Sequence, residues 1–285
     1  MRCLIIRAAF TVGLLLFAFG TLYAESSIEA TSFEIEPTIS HITYKEPGYM
    51  EDRGSMYGLA VSYSLRKEYL APISMMKAEV QATWGPINYS SVSTGAIKNT
   101  PDAMIDARIL IGKNLSDAGQ KLVTPYVGLG YRRLSDKSEG MISSSGAYGY
   151  DREANYYYFP VGIELSSSFD NSWMIGGLLE YDLFIAGTQI TLIPKDMRIN
   201  GVTSSNQFTN DQKDGYGFRV SLQIMRRINN AYCLSFEPYC RYWNIKTSKA
   251  DSIIVTDSDN KKKTISVVEP ANTSTEYGIK AGLRF

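Results

Sequence analysis

The sequence has few of the residues that most often carry chemistry. Its 285 residues include one His and three Cys, too few for a disulfide-rich scaffold. The 29 basic and 29 acidic residues cancel, which excludes a nucleic-acid binder that depends on a basic surface. Beyond residue 24 no uncharged apolar run of about 18 residues occurs, so membrane crossing by helices is excluded as well.

The N-terminus has the pattern of an export signal. Arg2 and Arg7 precede an apolar stretch from Ala8 to Phe19, and 22–24 offers a cleavage site. We therefore predict a secretory signal peptide over 1–24 and a single domain over 25–285. Without the leader, 27 basic residues (29 minus Arg2 and Arg7) face 29 acidic ones. The mature chain is thus nearly neutral.

Ten segments of the mature chain alternate apolar and polar residues with period two, as half-buried strands do. In each segment one face can be chosen that carries no charge. The ten apolar rows occupy 33–39, 57–65, 76–84, 105–111, 123–131, 157–165, 175–183, 216–224, 234–242 and 277–285. In the last row these apolar residues share one face: Tyr277, Ile279, Ala281, Leu283 and Phe285.

This last segment resembles the closing strand of small outer-membrane β-barrel proteins of Gram-negative bacteria. In those proteins a terminal Phe after alternating apolar residues is the signal read by the barrel-assembly machinery. The resemblance implies an assembly signal in the five residues of the last row. It also implies the barrel-assembly machinery and outer-membrane lipid as partners.

Connection lengths separate a membrane barrel from a soluble β-sandwich, which shows the same alternation. Short connections near 66–73, 114–121, 166–172 and 226–231 alternate with long ones near 45–54, 85–102, 134–152, 187–214 and 244–275. Short turns on one side and long loops on the other are typical of outer-membrane barrels. We predict an all-β, antiparallel transmembrane barrel of about ten strands in the bacterial outer membrane. Eight or twelve strands remain alternatives.

Aromatic residues near the segment ends predict interfacial girdles. These are Tyr44, Tyr57, Trp84, Tyr131, Tyr156, Trp173, Tyr216, Tyr232, Tyr242 and Trp243.

Local features within the strands lead to further expectations. Pro37, Pro125 and Pro238 each lie a few residues into an upward strand, where we expect bulges near the periplasmic rim. Pro160 also lies inside a strand. Three glycines are expected to leave room for large lumen side chains on neighbouring strands: Gly128, Gly130 and Gly162.

Two other features concern the ninth and tenth strands. Cys233 and Cys240 lie about 23 Å apart on opposite faces of one strand, too far for a disulfide. The segments 252–256 and 263–268 look like a hairpin, which we expect to extend strands nine and ten above the bilayer.

The polar faces of the strands collect the charges that we predict to line the lumen. They include Glu34 and Glu36 near the start. The candidate lumen charges are Lys77, Glu79, Asp106, Arg108, Arg132, Glu164, Glu180, Asp182, Arg219, Glu237, Arg241 and Lys280. A ten-stranded barrel is only slightly wider than one that side chains fill. Ion pairs are therefore expected to plug it, and a narrow pore is the alternative.

Catalytic and metal chemistry find little support in the sequence. Omptin proteases are ten-stranded barrels of similar size, but the Asp-x-His element of their upper rim has no counterpart here. Glu180 and Asp182 share a face and could form a carboxylate site with Asp106 and Glu164, whereas His41 points outward. No His/Cys cluster has ligand spacing, and the Asp-rich stretch near 251–259 is followed by three lysines, unlike a calcium loop. We predict no catalytic, metal or cofactor site.

Three hypotheses for function follow. The first is a non-enzymatic surface protein with a plugged lumen, whose solvated, mobile loops 187–214 and 244–275 contact an extracellular ligand or support envelope integrity. The second is a small porin-like channel. The third is an omptin-like surface protease.

Overall fold

The computed structural model describes residues 31–67, 72–117, 121–170, 172–194, 198–199, 202–204, 207–256 and 261–285. The predicted signal peptide, 1–24, lies outside these ranges. Sixteen strands are described: β1 (Thr31–Glu46), β2 (Met50–Arg66), β3 (Met75–Ser91), β4 (Gly95–Gly112), β5 (Leu115–Asp117), β6 (Lys121–Asp136), β7 (Asp151–Ser168), β8 (Trp173–Leu192), β9 (Arg198–Ile199), β10 (Val202–Ser204), β11 (Gln207–Gln212), β12 (Gly215–Arg227), β13 (Cys233–Ile245), β14 (Asp251–Thr256), β15 (Lys262–Val267) and β16 (Asn272–Arg284).

Ten of these strands form a closed antiparallel barrel. Its order is β1, β2, β3, β4, β6, β7, β8, β12, β13 and β16, and β16 pairs with β1 to close the ring. The predicted fold class and the strand number of ten are confirmed. In the part of the chain that the structure describes, no helix has the length and apolar content needed to cross a membrane.

The period-two pattern places side chains on the faces that the sequence predicted. Along β1, for example, Glu34, Glu36 and Thr38 are buried inside, and Phe33 and Ile39 are exposed outside. We call the outward-facing apolar residues the lipid-facing belt. On the extracellular side, the belt ends at Tyr57 on β2, Trp84 on β3, Ile105 on β4, Tyr131 on β6 and Tyr157 on β7.

The closing strand lies where the resemblance implied. The backbone groups of Phe33 and Phe285 exchange hydrogen bonds of 3.0 and 2.8 Å at the periplasmic end. Tyr277, Ile279 and Phe285 are exposed on the outer face of the barrel, with Ala281 beside them and Leu283 partly covered.

Most of the predicted long loops are largely strand, whereas the connection 137–150 between β6 and β7 is not. β3 and β4 remain paired to Ser91 and Gly95, so most of the predicted loop 85–102 is a hairpin above the belt. β1 and β2 likewise pair up to Glu46 and Met50. The prediction of long loops was wrong here because the outward face becomes polar above the belt and apolar residues such as Ile42 and Ile87 point inward, which ends the pattern of apolar residues outside and charges inside.

The predicted hairpin near 252–268 exists, as β14 paired with β15. It does not extend the ninth and tenth strands, because β13 ends at Ile245 and β16 begins at Asn272. Instead, β14 also pairs with β10, and β10 with β9, in a separate four-stranded sheet. The expectation failed because the partner strands come from the distant connection 187–214.

The prolines do not produce the predicted bulges. Ile35 pairs with Leu283 and Thr38 with Lys280, so the register is unchanged across Pro37. It is also unchanged across Pro125 and Pro238. On one side of each proline the pairing is interrupted, since proline has no N–H to donate. The ladder skips these positions without inserting a residue.

Register shifts occur elsewhere, between Ile87 and Tyr89 and between Tyr157 and Tyr158. Both positions lie at or above the extracellular edge of the belt.

Three of the predicted girdle aromatics lie inside the barrel. Tyr44, Tyr156 and Trp243 are buried, because each occupies an inward position of its strand. The girdle prediction used their distance from the strand ends and ignored their parity. Tyr57, Trp84 and Trp173 do face outward.

Candidate functional site

The lumen is crossed by side chains that link strands far apart in the barrel order. Arg108 on β4 contacts both carboxylate oxygens of Glu180 on β8 at 2.5 Å. It also bonds Glu79 on the neighbouring β3. Since β4 and β8 are not neighbours, the contact between Arg108 and Glu180 runs through the interior.

Two further arginines complete the middle level of the lumen. Arg219 lies 3.0 Å from both Asp106 and Glu180. Arg241 lies 3.2 Å from Asp106 and 3.1 Å from Glu276. Glu276 is not among the predicted lumen charges, because it lies one residue before the last apolar row. The middle level therefore balances three carboxylates against three guanidinium groups.

The periplasmic half of the lumen holds a second set of paired charges. Glu164 accepts from Arg66 at 2.5 Å and from Lys77 at 2.9 Å, and Lys77 also lies 2.7 Å from Glu79. Lys280 and Glu237 form a separate pair at 3.0 Å. A cavity of about 830 Å³, which includes space open to solvent, lies among these groups.

Tyrosine side chains fill the space over glycines, as the sequence predicted. A Cβ on Gly130 would lie 2.1 Å from the Tyr158 ring, and a Cβ on Gly162 would lie 2.4 Å from the Tyr126 hydroxyl. Tyr126 then donates a 2.6 Å hydrogen bond to Glu180. These glycines let the rings cross the lumen and reach the charges.

Two predicted lumen charges lack the pairing of the others. Arg132 is 1% exposed and makes no ion pair with any residue that the structure describes. One of its amino groups lies 3.4 Å from Ser274 Oγ, and its guanidinium lies 5.8 Å from the centre of the Trp243 ring. Asp182 is also 1% exposed, and its Oδ1 accepts no hydrogen bond from the described residues.

An apolar layer lies above the charges. Tyr156, Tyr158, Trp243 and Ile245 form a buried cluster with Ala154. A second cluster joins Ile42, Met56, Ile87 and Met104, with Leu134 packed against it. The charged lumen is thus covered on its extracellular side.

A cavity that the sequence analysis did not anticipate lies at the extracellular mouth. We call it the mouth cavity; it measures about 490 Å³, including space open to solvent. Its walls combine apolar residues of the second cluster with Asp52, Asp102, Asp136, Arg152 and Gln189. These strand portions lie beyond the belt residues Tyr57, Ile105 and Tyr131, outside the membrane-spanning segments.

One arginine forms ion pairs with several carboxylates at this mouth. Arg152 contacts Glu46 and Asp52 at 3.1 Å and Asp136 at 3.2 Å. Asp102 forms no ion pair with any residue in the described ranges. Burial and the nearby carboxylates of Asp136 and Asp52 raise the pKa of Asp102 to about 8. Parity alone would have put Asp102 on the inward face, but not beside carboxylates from other strands.

The pKa values of two further carboxyl groups at the mouth are shifted in the same direction. Burial raises the pKa of Asp52 to about 7 although Arg152 opposes the shift. Burial and Glu46 raise the pKa of Glu269 to about 8. The mouth thus holds carboxylates that the nearby cation does not compensate.

The residues considered for catalysis lie apart. His41 is exposed on the outer face of β1, where its Nδ1 lies 3.5 Å from Ser55 Oγ. Glu180 and Asp182 lie inside, across the barrel wall from this imidazole. Cys233 and Cys240 are both free thiols. Over the described ranges, no three His, Cys, Asp or Glu side chains are grouped as metal ligands.

Comparisons with known proteins point to the fold. No protein-family model matches the chain, and no curated protein matches it. The outer-membrane protease OmpT from Escherichia coli is similar in structure, with a TM-score of 0.54 and 10% identity over 92% of this chain and 99% of that one. The toluene transporter TbuX from Ralstonia pickettii gives a TM-score of 0.37 and 9% identity over 90% of each chain.

The translocator domain of the autotransporter NalP from Neisseria meningitidis gives a TM-score of 0.37 and 11% identity, over 98% of this chain and 95% of that one. The likeness to OmpT shows a shared fold. A closed barrel of this fold with an exposed apolar belt belongs in lipid. The predicted location in the bacterial outer membrane is confirmed.

Proposed function

We propose that the protein is a non-enzymatic outer-membrane barrel, closed by its own side chains, that acts through its extracellular surface. The observation that carries this proposal is the bridge from Arg108 to Glu180, supported by Arg219 and Arg241. Solute passage would have to separate these buried ion pairs. Breaking a buried pair costs about 3 to 5 kcal/mol, which opposes spontaneous opening.

The extracellular side, unlike the closed lumen, offers a surface for ligand contact. Hairpins rise above the belt, a separate four-stranded sheet lies among them, and the mouth cavity opens between β-strands there. A rigid barrel that holds such a surface suits ligand contact better than transport. The described parts of the predicted contact regions 187–214 and 244–275 belong to this surface.

The test is single-channel conductance of the refolded protein in a planar bilayer. Heat-modifiable gel mobility first establishes that the barrel has formed. A folded and silent protein supports the proposal. Discrete conductance steps that change in Arg108→Ala or Arg241→Ala would establish the channel alternative instead.

The absence of enzymatic activity is a separate part of the proposal. It is supported by the position of His41, which is separated from the inward carboxylates by the barrel wall. The measurement is cleavage of a mixed peptide library by the refolded protein. We expect none, and cleavage that disappears in Asp182→Asn or His41→Ala would establish a hydrolase.

The last part of the proposal concerns assembly of the barrel into the membrane. We propose that the outer row of β16, from Tyr277 to Phe285, is read by the barrel-assembly machinery. Its support is the apolar, outward row on the strand that closes the barrel. Exchange of Phe285 for Ser should lower the heat-modifiable fraction in cells, whereas the same change at exposed Tyr49 should leave it unchanged.

A further inference from the structure

We propose that the mouth cavity binds an organic cation, namely an ammonium or guanidinium group carried on an aliphatic chain. This inference rests on the proposed function, because a closed barrel that contacts a ligand needs a site outside the lumen. The hydrogen-bonding groups of the cavity, its charge and its apolar wall each favour such a ligand.

The polar atoms of the cavity that lack partners are acceptors. Among the described residues, no donor reaches Asp52 Oδ1, Asp102 Oδ1, Asp136 Oδ1 or Gln189 Oε1. Gln189 is 3% exposed, and Asp52 is 7% exposed. Buried acceptors are normally hydrogen-bonded, so these four favour a ligand that donates several hydrogen bonds. Ammonium and guanidinium groups donate and do not accept.

The charge of the cavity points to the same ligand class. Arg152 is shared among Glu46, Asp52 and Asp136. Asp102 on β4 is then left facing carboxylates from β2 and β6 without a cation of its own. A positive ligand beside Asp102 would supply the missing charge.

Part of the cavity wall is apolar. Ile42, Met56, Ile87 and Leu134 line it, and the first three belong to one buried cluster. A bare metal ion would gain nothing from such a wall, whereas an aliphatic chain is stabilised there by about 0.8 kcal/mol per buried methylene. The combination therefore favours an organic cation over an inorganic one.

Binding should depend on pH in a defined direction. Asp102 faces Asp52, Asp136 and Arg152, and Glu46 and Glu269 lie nearby on the other side of Arg152. Because the pKa of Asp102 is raised to about 8 and that of Asp52 to about 7, these groups lose their protons between pH 6 and 9. A permanently charged cation should bind more tightly as they do so.

The experiment is calorimetric titration of the refolded full chain in lipid nanodiscs. The probe is 1,5-diaminopentane, with 1,5-pentanediol as the uncharged match and calcium chloride as the inorganic cation. We expect the diamine to bind, and the diol and calcium to bind at least about tenfold more weakly. Equal binding of the diamine and calcium would overturn the proposal, as would the absence of diamine binding.

Variants locate the site. At pH 9, where Asp102 is ionised, Asp102→Asn should weaken diamine binding about tenfold or more, since it removes a charged acceptor. The matched control is Glu51→Gln, which removes a carboxylate from the outer face beside Asp52 and should change affinity less than about twofold. Asp102 has no ion pair to lose, so folding should survive, and Gln189→Leu provides an independent uncharged change that should also weaken binding. Unchanged affinity in both cavity variants would overturn the assignment.

The pH dependence separates this site from general attraction to a negative surface. Diamine affinity should rise about tenfold between pH 6 and pH 9, and the rise should be smaller in Asp102→Asn. A flat or falling profile contradicts the proposal. A folded barrel that shows neither conductance nor diamine binding would refute this inference alone. Conductance steps would refute the proposed function.

Discussion

Asp102 and Asp106 lie four residues apart on the inward face of β4, yet their surroundings are opposite. Asp106 is 3.0 Å from Arg219 and 3.2 Å from Arg241. Asp102 faces the carboxylates of Asp52 and Asp136. The first lies in the lumen within the membrane-spanning part, and the second lies in the mouth cavity above it.

This difference separates structural charges from charges available for binding. Around Asp106 in the lumen, cations and carboxylates form compensating ion pairs, so removing one of these partners should damage the fold. In the mouth, carboxylates exceed cations, so neutralising one should relieve repulsion. The same residue type on the same strand thus has two physical roles, which stability measurements can distinguish.

The largest expected effect is at Arg108. Arg108→Leu leaves Glu180 and Glu79 each short of one cation, and Glu180 is fully buried. We expect the free energy of unfolding to fall by about 3 to 5 kcal/mol. Urea unfolding in lipid vesicles, followed by tryptophan fluorescence, measures it. A loss below about 1 kcal/mol would mean that the lumen pairs do not hold the barrel together.

Arg132 offers a smaller effect of the opposite sign within the same lumen. It is buried without an ion pair in the described part of the chain, so Arg132→Met removes an uncompensated charge. We expect the free energy of unfolding to stay level or to rise by about 1 kcal/mol, as when buried charges are exchanged for apolar groups. The same unfolding assay applies. A loss as large as that of Arg108→Leu would contradict the distinction between paired and unpaired charges.

The smallest effect is expected at the outer surface of the extracellular hairpins. Glu51 lies 2.6 Å from Lys45, whose side chain is half exposed. Exposed pairs contribute little, so Glu51→Gln should change the free energy of unfolding by less than about 0.5 kcal/mol. A change above about 1 kcal/mol in the unfolding assay would show that an ion pair on the outer face can contribute as much to stability as a buried one.

The sequence predicts the barrel well where one face meets lipid. Rows such as 277–285 alternate without interruption, and the structure places these rows on the belt. Above the belt the outward face becomes polar and apolar residues such as Ile87 and Met104 point inward, so the extensions of β3 and β4 beyond Trp84 and Ile105 do not continue the pattern of apolar residues outside and charges inside. The same parity rule, applied consistently, would have placed Tyr156 and Trp243 inside.

The mouth cavity could not be predicted from the sequence, for a different reason. Asp102 is unpaired only because Asp52 and Asp136 come from β2 and β6, and Arg152 from β7 is occupied by other carboxylates. Strand parity gives the inward face of each residue but not the height at which distant strands meet. The ion-pair partners of lumen charges such as Arg108 and Glu180 could not be predicted for the same reason, because they depend on the relative height of distant strands.

The most direct test of this account compares Asp106→Asn with Asp102→Asn at pH 9, where Asp102 is ionised. The pKa of Asp102 is about 4 in the unfolded chain and about 8 in the folded protein, so the free energy of unfolding falls as the pH rises between these two values. An uncharged residue at position 102 should remove that loss. Asp106→Asn should lower the free energy of unfolding by about 3 kcal/mol, and Asp102→Asn should raise it by about 1 kcal/mol. Two losses of similar size would contradict the account.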